Sequence, residues 1–339
     1  MKKYGWGFIG LGNIVKRMLT ALPHVPNAEL AAAGSRDVEK AKAFAKEHGF
    51  AKSYGSYKEC INDPDVDIVY VALPHPYHAA MSMEVLEAGK AVLCEKPAAV
   101  NTAEFRKVAE CARKNNAFFM EGMWSRFFPV NRAIREIINS GRTGMVTMIE
   151  ADFGFGSWNN RKAANPQSRL FNPQLAGGSL LDVGVYTASY CDFIKNGMKP
   201  EKIKALATMT DTGVDGMSAY IMRYPDGCIS VQRSSVVQTT RTCATIYCEK
   251  CVIEVPGFWH PTKATITWKD TSTTDTIEIP LVHGIGEGFY YECEEVMRCL
   301  DAGLKESPSM TLDDSIRIME QLDAVRAEIG LKYPFEINK

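Results

Sequence analysis

The sequence carries no excess charge of either sign: 39 Lys and Arg stand against 40 Asp and Glu, a formal net charge of -1. That excludes a polybasic nucleic-acid surface and an acidic interaction tail. Long apolar runs are also missing. The residues after Met1-Lys-Lys-Tyr4 are apolar, but Gly7, Gly10, Gly12 and Asn13 interrupt them before Lys16-Arg17, so neither a secretion signal nor a membrane span is expected. Histidine is scarce, and His75 and His78 have no third ligand nearby, so no metal is assigned. The ten cysteines are scattered over 339 residues, without the dense framework of a small secreted domain, and read as buried thiols in a reducing cytoplasm. Cys248-Glu-Lys-Cys251 has metal or redox spacing but no matching second pair. It lies between the β-like runs Thr245–Tyr247 and Val252–Val255, which makes it a hairpin turn. There is no internal repeat and no low-complexity segment, and the expected partner is a small molecule.

A chain of 339 residues exceeds the usual single-domain range, so two domains are expected, each able to bury its own core. From residue 1 to about 122, short apolar β-type runs alternate with helical patterns, the rhythm of a parallel sheet covered on both faces. After the first strand come Glu29–Ala33, Asp67–Ala72, Ala91–Cys94 and Ala117–Met120. Helices are expected over Asn13–Leu22, Val38–His48, Tyr57–Asn62, His78–Ala88 and Thr102–Asn115, with Gly89 and Asn116 as stops. Beyond residue 123 β-rich runs dominate: Met145–Phe153, Ile203–Met209, Ala219–Tyr224, Cys228–Val237, Thr242–Tyr247, Val252–Val255, Ala264–Trp268 and Thr276–Ile279. Helical patterns cover Phe128–Asn139, Gly178–Lys195, Glu287–Ala302 and Leu312–Ile329. The domains are therefore placed at 1–122 and 123–339.

The first strand leads into Gly10-Leu-Gly12-Asn-Ile-Val15. Gly10 permits a tight strand-to-helix turn and Gly12 lets backbone approach a pyrophosphate, while the helix N-terminus offers free N–H groups and a favourable dipole. Val15 departs from the small residue usual at the third position and could crowd the helix against the sheet; a glycine turn between any strand and helix would look similar. At the end of the second strand an NAD site usually places an acid, whereas this chain has Ser35-Arg36. A guanidinium there suits a 2'-phosphate, which favours NADP, with NAD possible; the bland alternative is a solvated Arg36 beside a capping Asp37.

The next informative stretch is a strand ending in Glu95-Lys96-Pro97, where ligands of open α/β sheets bind. With the glycine turn, Leu73-Pro-His-Pro-Tyr-His78, and Gly177-Gly-Ser-Leu-Leu-Asp182-Val-Gly-Val-Tyr186, the chain resembles the glucose-fructose oxidoreductase and inositol dehydrogenase family (Gfo/Idh/MocA) over nearly its whole length. Ala98-Ala-Val-Asn101-Thr-Ala-Glu104 and Phe119-Met-Glu121-Gly-Met-Trp124-Ser-Arg126-Phe-Phe-Pro129 look most like its dimeric dihydrodiol dehydrogenase and NADP-dependent D-xylose dehydrogenase branch.

That resemblance implies an α/β protein: an N-terminal Rossmann domain and a C-terminal α+β domain with a large, mostly antiparallel open sheet whose free face often forms a homodimer. It implies an NADP-dependent dehydrogenase acting on a secondary alcohol of an aldose, polyol or trans-dihydrodiol. Gly10, Gly12, Asn13, Ile14, Ser35, Arg36, Leu73, Pro74, His78, Glu95 and Lys96 are then expected at the cofactor. Lys96, Asp182 and Tyr186 form the catalytic set, and Trp124 and Arg126 join them at the substrate. Oxidising an alcohol needs a hydride acceptor and a group that removes the hydroxyl proton. Tyr186 takes the acid/base role, although many members of the wider family carry His there. Lys96 is its electrostatic partner, since an ammonium favours phenolate over phenol, lowering a pKa of about 10. Asp182 accepts from a neighbouring substrate hydroxyl; four residues from Tyr186, it shares a helix face.

Without the resemblance, Tyr186 is an ordinary helical tyrosine. Trp124 and Arg126, with the loop Phe155–Asn160, suit a sugar or cyclic diol but equally suit packing, and Arg169 is as ambiguous. Gly284-Ile-Gly286-Glu-Gly288-Phe289 reads as a cover over the substrate or as the start of the next helix. The resemblance also raises the expectation of a cis Lys96–Pro97 bond. Two other readings use the same scaffold: a catalytically idle NADP-binding sensor, and a glycosidase that uses tightly held NAD for transient oxidation.

Overall fold

The computed structural model describes residues 2–282 and 288–337. The chain packs as two compact units, and the first gathers residues 1–99, 103–124 and 281–315. Its strands are β1 (Tyr4–Ile9), β2 (Ala28–Gly34), β3 (Lys52–Tyr54), β4 (Ile68–Val71), β5 (Ala91–Glu95) and β6 (Phe119–Gly122), forming one six-stranded sheet in the order β3-β2-β1-β4-β5-β6. Every pairing in it is parallel. β1, β4 and β5 are buried along their entire length, which is why they read as apolar runs, broken only by Glu95 at the end of β5. The order reverses between β1 and β4, and the crevice at their carboxyl ends is the ligand position of a doubly wound sheet.

The connecting helices are α1 (Asn13–Ala21), α2 (Val38–His48), α3 (Tyr57–Ile61), α4 (His78–Glu87) and α5 (Thr102–Lys114). Their ends follow the residues expected to set them. Asp37 caps α2 by accepting from the N–H groups of Glu39 and Lys40, a contact worth about 1 kcal/mol. Gly89 and Asn116, after α4 and α5, take φ of +74° and +49°, the left-handed conformation that ends a helix. The Lys96–Pro97 bond is cis. Helix α8 (Phe289–Asp301) returns to this first unit and buries Phe289, Cys293, Val296 and Cys299 in it. Val15 is fully buried in α1, so the larger residue at the third fingerprint position is accommodated. Gly284, Gly286 and Glu287, expected to cover a substrate or begin α8, lie outside the described residues.

The second unit holds α6 (Pro129–Asn139), α7 (Val185–Ile194) and eight strands: β7 (Val146–Gly154), β8 (Lys202–Met209), β9 (Asp215–Arg223), β10 (Ile229–Ser235), β11 (Cys243–Cys248), β12 (Cys251–Pro256), β13 (Lys263–Trp268) and β14 (Thr274–Glu278). They form a sheet ordered β14-β13-β12-β11-β7-β10-β9-β8. It is antiparallel except where β10 runs parallel to β7. Cys248 and Cys251 flank the tight turn between β11 and β12, so the pair sits at a hairpin as the flanking runs required. α7 covers β7 and β10 on one face. The opposite face exposes Leu206, Ile221 and Ile229 at 81%, 49% and 42%. α9 (Leu312–Ile329) and the short α10 (Pro334–Ile337) complete the chain. Among the described residues no helix is long and apolar enough to cross a membrane.

Candidate active site

In the first unit the expected cofactor residues gather at the carboxyl ends of β1, β2, β4 and β5. Gly10 has φ +88°, and a Cβ on it would lie 2.4 Å from the Ala72 carbonyl oxygen, so only glycine fits this turn. The Gly12 N–H donates to Gly10 O at 2.8 Å. A Cβ on Gly12, by contrast, would meet nothing within 4 Å. This is open space directly above the N-terminus of α1. Among the described residues no side chain caps that helix, and its first turn holds no acid, so its N–H groups and its dipole face an anion's position. An uncapped nine-residue helix beneath a glycine cradle fits a dinucleotide pyrophosphate.

Asn13 and Arg36 are exposed, Ile14, Leu73 and Pro74 half-buried, and Ser35 buried, with its Oγ accepting from the Asp37 N–H at 3.2 Å. Lys96 is half-buried just past the end of β5. Two residues expected at the cofactor are turned inward. His78 is 1% exposed, and its ring nitrogens face Pro97 O at 2.8 Å and Leu73 O at 2.5 Å. It ties the loop after β4 to the loop after β5, shaping the site through backbone. Glu95 is buried and accepts from the Tyr70 hydroxyl. Beside it lies a carboxyl that sequence reading missed. Glu292 on α8 is fully buried, with no hydrogen-bond partner for either oxygen among the described residues. Burial first, and the Glu95 charge second, hold its pKa well above the usual carboxylate range.

Trp124 is packed rather than presented: it is 2% exposed and stacks on Phe289 at 4.3 Å between ring centroids. In the second unit Arg126 is also withdrawn from solvent. Its Nε donates to Ser189 Oγ at 3.0 Å, and its Nη2 pairs with Asp192 at 2.8 Å. The cation expected at the substrate instead neutralises a buried carboxylate on α7.

Asp182 and Tyr186 lie at the start of the long helical run, whose opening differs from expectation. Leu180–Gly184 form a π-helical turn that passes into α7 at Val185. The Tyr220 hydroxyl donates to Gly184 O at 3.1 Å and pairs with the Thr187 hydroxyl at 2.5 Å. A side chain thus enters the helical ladder, one cause of such widening, and π-turns concentrate at functional sites. Asp182 is 4% exposed and accepts from Arg169 Nη1 at 2.9 Å. The Tyr186 ring packs 5.5 Å from Phe153 and 6.1 Å from Trp259. Trp259 belongs to no motif, and only its distant strand connection brings it here. The loop residue Trp158 is 43% exposed with the Arg161 guanidinium 4.3 Å over its ring, an accessible aromatic face. No group of three or more His, Cys, Asp or Glu side chains among the described residues could hold a metal.

Comparison with known proteins bears on the fold and the family. The model of an oxidoreductase family with an NAD-binding Rossmann fold matches residues 4–123, and that of the GFO/IDH/MocA C-terminal domain matches residues 131–254. The trans-1,2-dihydrobenzene-1,2-diol dehydrogenase of Xenopus laevis is 37% identical over 334 residues, covering 97% of this chain and 99% of the relative. Levoglucosan dehydrogenase, solved with NADH and levoglucosan, superposes with a TM-score of 0.86 at 18% identity, over 98% of this chain and 100% of that one. A 3-ketoreductase from Actinomadura kijaniata, solved with NADP and TDP-benzene, gives 0.83 at 22% identity, over 97% and 98%. At such identities the two structures show the shared fold. The cradle at the β1–α1 turn, the two sheets and the full-length likeness lead to one conclusion: the chain belongs to the GFO/IDH/MocA family of oxidoreductases with an NAD-binding Rossmann fold.

Proposed function

We propose that this protein is an NADP-dependent dehydrogenase that oxidises a secondary alcohol of a trans-dihydrodiol, aldose or polyol. The observation that carries the cofactor reading is the uncapped N-terminus of α1 under the open Gly12. Gly10, Gly12, Asn13 and Ile14 would hold the pyrophosphate, and Leu73 and Pro74 the adjoining part of the nucleotide. Exposed Arg36 and the Ser35 hydroxyl favour a 2'-phosphate, where an acid would repel one. Bound there, the nicotinamide supplies the hydride acceptor.

The chain's own residues handle the proton. Tyr186 Oη takes it from the substrate hydroxyl, Lys96 Nζ stabilises negative charge on oxygen, and Asp182 orients a neighbouring hydroxyl while Arg169 holds its carboxylate. The relatives named for dihydrodiol oxidation and the aromatic surroundings of Tyr186 and Trp158 support a ring-shaped, hydroxylated substrate. We further read residues 1–122 as the nucleotide-binding domain, to which α8 returns, and the remainder of 123–339 as the substrate-binding and dimerisation domain. The exposed apolar face around Leu206, Ile221 and Ile229 supports a homodimer, and ten cysteines without a disulfide support a cytoplasmic setting.

The test is spectrophotometric. Protein, NADP and a panel of trans-diols and aldoses should give reduced cofactor, and Tyr186→Phe should lower kcat by roughly 10²-fold with cofactor binding unchanged. Binding without turnover across the panel would indicate a sensor, and glycoside cleavage without net reduction a glycosidase.

A further inference from the structure

Asp215, the first residue of β9, is fully buried, and the reaction as proposed makes no use of it. Its Oδ2 accepts three hydrogen bonds: from Ser179 Oγ at 2.7 Å, the Leu180 N–H at 2.8 Å and Ser218 Oγ at 2.8 Å. Two of these donors are the residues that open the π-turn leading to Asp182 and Tyr186. The chain reaches that point through Gly178 at φ +114°, where a Cβ would stand 2.1 Å from Asp215 Oδ1. The double glycine of the sequence motif therefore has a local cause, since any side chain at 178 would displace the carboxylate. Tyr220, five residues along the same strand, holds the far end of the turn through Gly184 O at 3.1 Å. The short segment carrying both proposed reactive groups is thus pinned at its two ends to one rigid strand.

We propose that Asp215 is the positioning residue of the Asp182–Tyr186 segment, its carboxylate clamping the π-turn in the ionised form and releasing it when protonated. The inference rests on the reading of Tyr186 as the acid/base. Charge-assisted bonds of this kind are about twice as strong as neutral ones, and an Asp215 that carries a proton gives up that advantage at all three donors. Burial pushes its carboxyl up to about 6, although the Ser179, Ser218 and Leu180 donors oppose the rise. The clamp is therefore ionised above that pH and neutral below it. The groups facing it are the Ser179 and Ser218 hydroxyls and the Leu180 N–H, with Ser234 bonded to Ser179. The phenols of Tyr220 and Tyr333 stand farther off, both held above the usual tyrosine range and so neutral throughout the window. The Arg326 guanidinium lies beyond, 4.7 Å from the Tyr333 ring.

The experiment follows tryptophan fluorescence of the full chain from pH 5 to 8, corrected with Trp259→Phe, because Trp259 stands 6.1 Å from Tyr186. The wild type should show a transition with a midpoint near 6. Asp215→Asn should abolish it and reduce kcat at neutral pH by up to about 100-fold with KM for the cofactor unchanged, the scale of a misplaced catalytic group. Ser179→Ala keeps the carboxylate but removes one donor to its charged form, so its midpoint should move upward; this variant decides the matter if Asp215→Asn does not fold. A wild type without the transition, or a Ser179→Ala midpoint that stays in place, overturns the proposal. If the fluorescence behaves as stated while no substrate is turned over, the dehydrogenase reading fails and the clamp stands.

Discussion

Removing Arg126 separates a packing role from a substrate-binding one. The guanidinium sits in a site where its side chain is 4% exposed and that of Asp192 1%. It makes bonds to Ser189 Oγ at 3.0 Å, Ser189 O at 3.3 Å and Asp192 Oδ2 at 2.8 Å. Breaking a buried pair by deleting one partner costs about 3–5 kcal/mol, mostly the penalty of the charge left behind. Here Asp192 keeps a second cation, Arg317, at 3.2 Å, so the loss on Arg126→Ala belongs at the low end, about 3 kcal/mol. Asp192→Ala removes an anion shared by two guanidiniums and should cost more, about 5 kcal/mol. At roughly 2–4 °C per kcal/mol for a unit of this size, Arg126→Ala should melt about 6–12 °C below the wild type by scanning calorimetry. Arg126→Ala melting within about 2 °C of the wild type, together with a raised KM for the diol or sugar, would refute this account and return Arg126 to the substrate.

Three further outcomes follow from the first unit. Arg36→Ala should weaken NADP by roughly 10- to 100-fold, the worth of one or two charge-assisted bonds, and leave NAD nearly unaffected by titration calorimetry; equal losses would show that Arg36 does not read the phosphate. Gly10→Ala places a methyl 2.4 Å from Ala72 O at φ +88°, so it should cost more than the ~1–2 kcal/mol of left-handed backbone alone and weaken both nucleotides together. Glu292→Gln tests the buried carboxyl. Because its folded pKa is raised, the proton it holds contributes stability below the unfolded value, and that contribution is lost as pH rises through the folded one. The variant lacks this loss, so its melting temperature relative to the wild type should climb as pH rises above the usual carboxylate range; a difference that stays constant with pH would show that Glu292 does not titrate in the folded protein.

Local rules and short motifs made much of the molecule legible in advance. The parallel sheet was readable because β1, β4 and β5 are buried on both faces and so are apolar but for Glu95 at the end of β5. Helix ends were readable because Asp37, Gly89 and Asn116 act on their own neighbours. The anion cradle was likewise local, since Gly10 and Gly12 meet the first turn of α1 within a few residues. The likeness to a known family added Lys96, Asp182 and Tyr186, which spacing alone would have left as ordinary residues.

What pattern could not supply is whatever depends on partners distant in the chain. Arg126 suited packing and a substrate contact equally until α7 brought Asp192 against it, and nothing local showed that Leu73 O and Pro97 O would face the ring of His78. Helix α8 returns to the first unit and carries Glu292 to where the charge of Glu95 acts on it. Asp215 reaches Ser179 across 36 positions. A motif records the identity of a side chain and its near neighbours. Whether a charge meets solvent, a ligand or an opposite charge is set by desolvation, which exists only once the chain has packed.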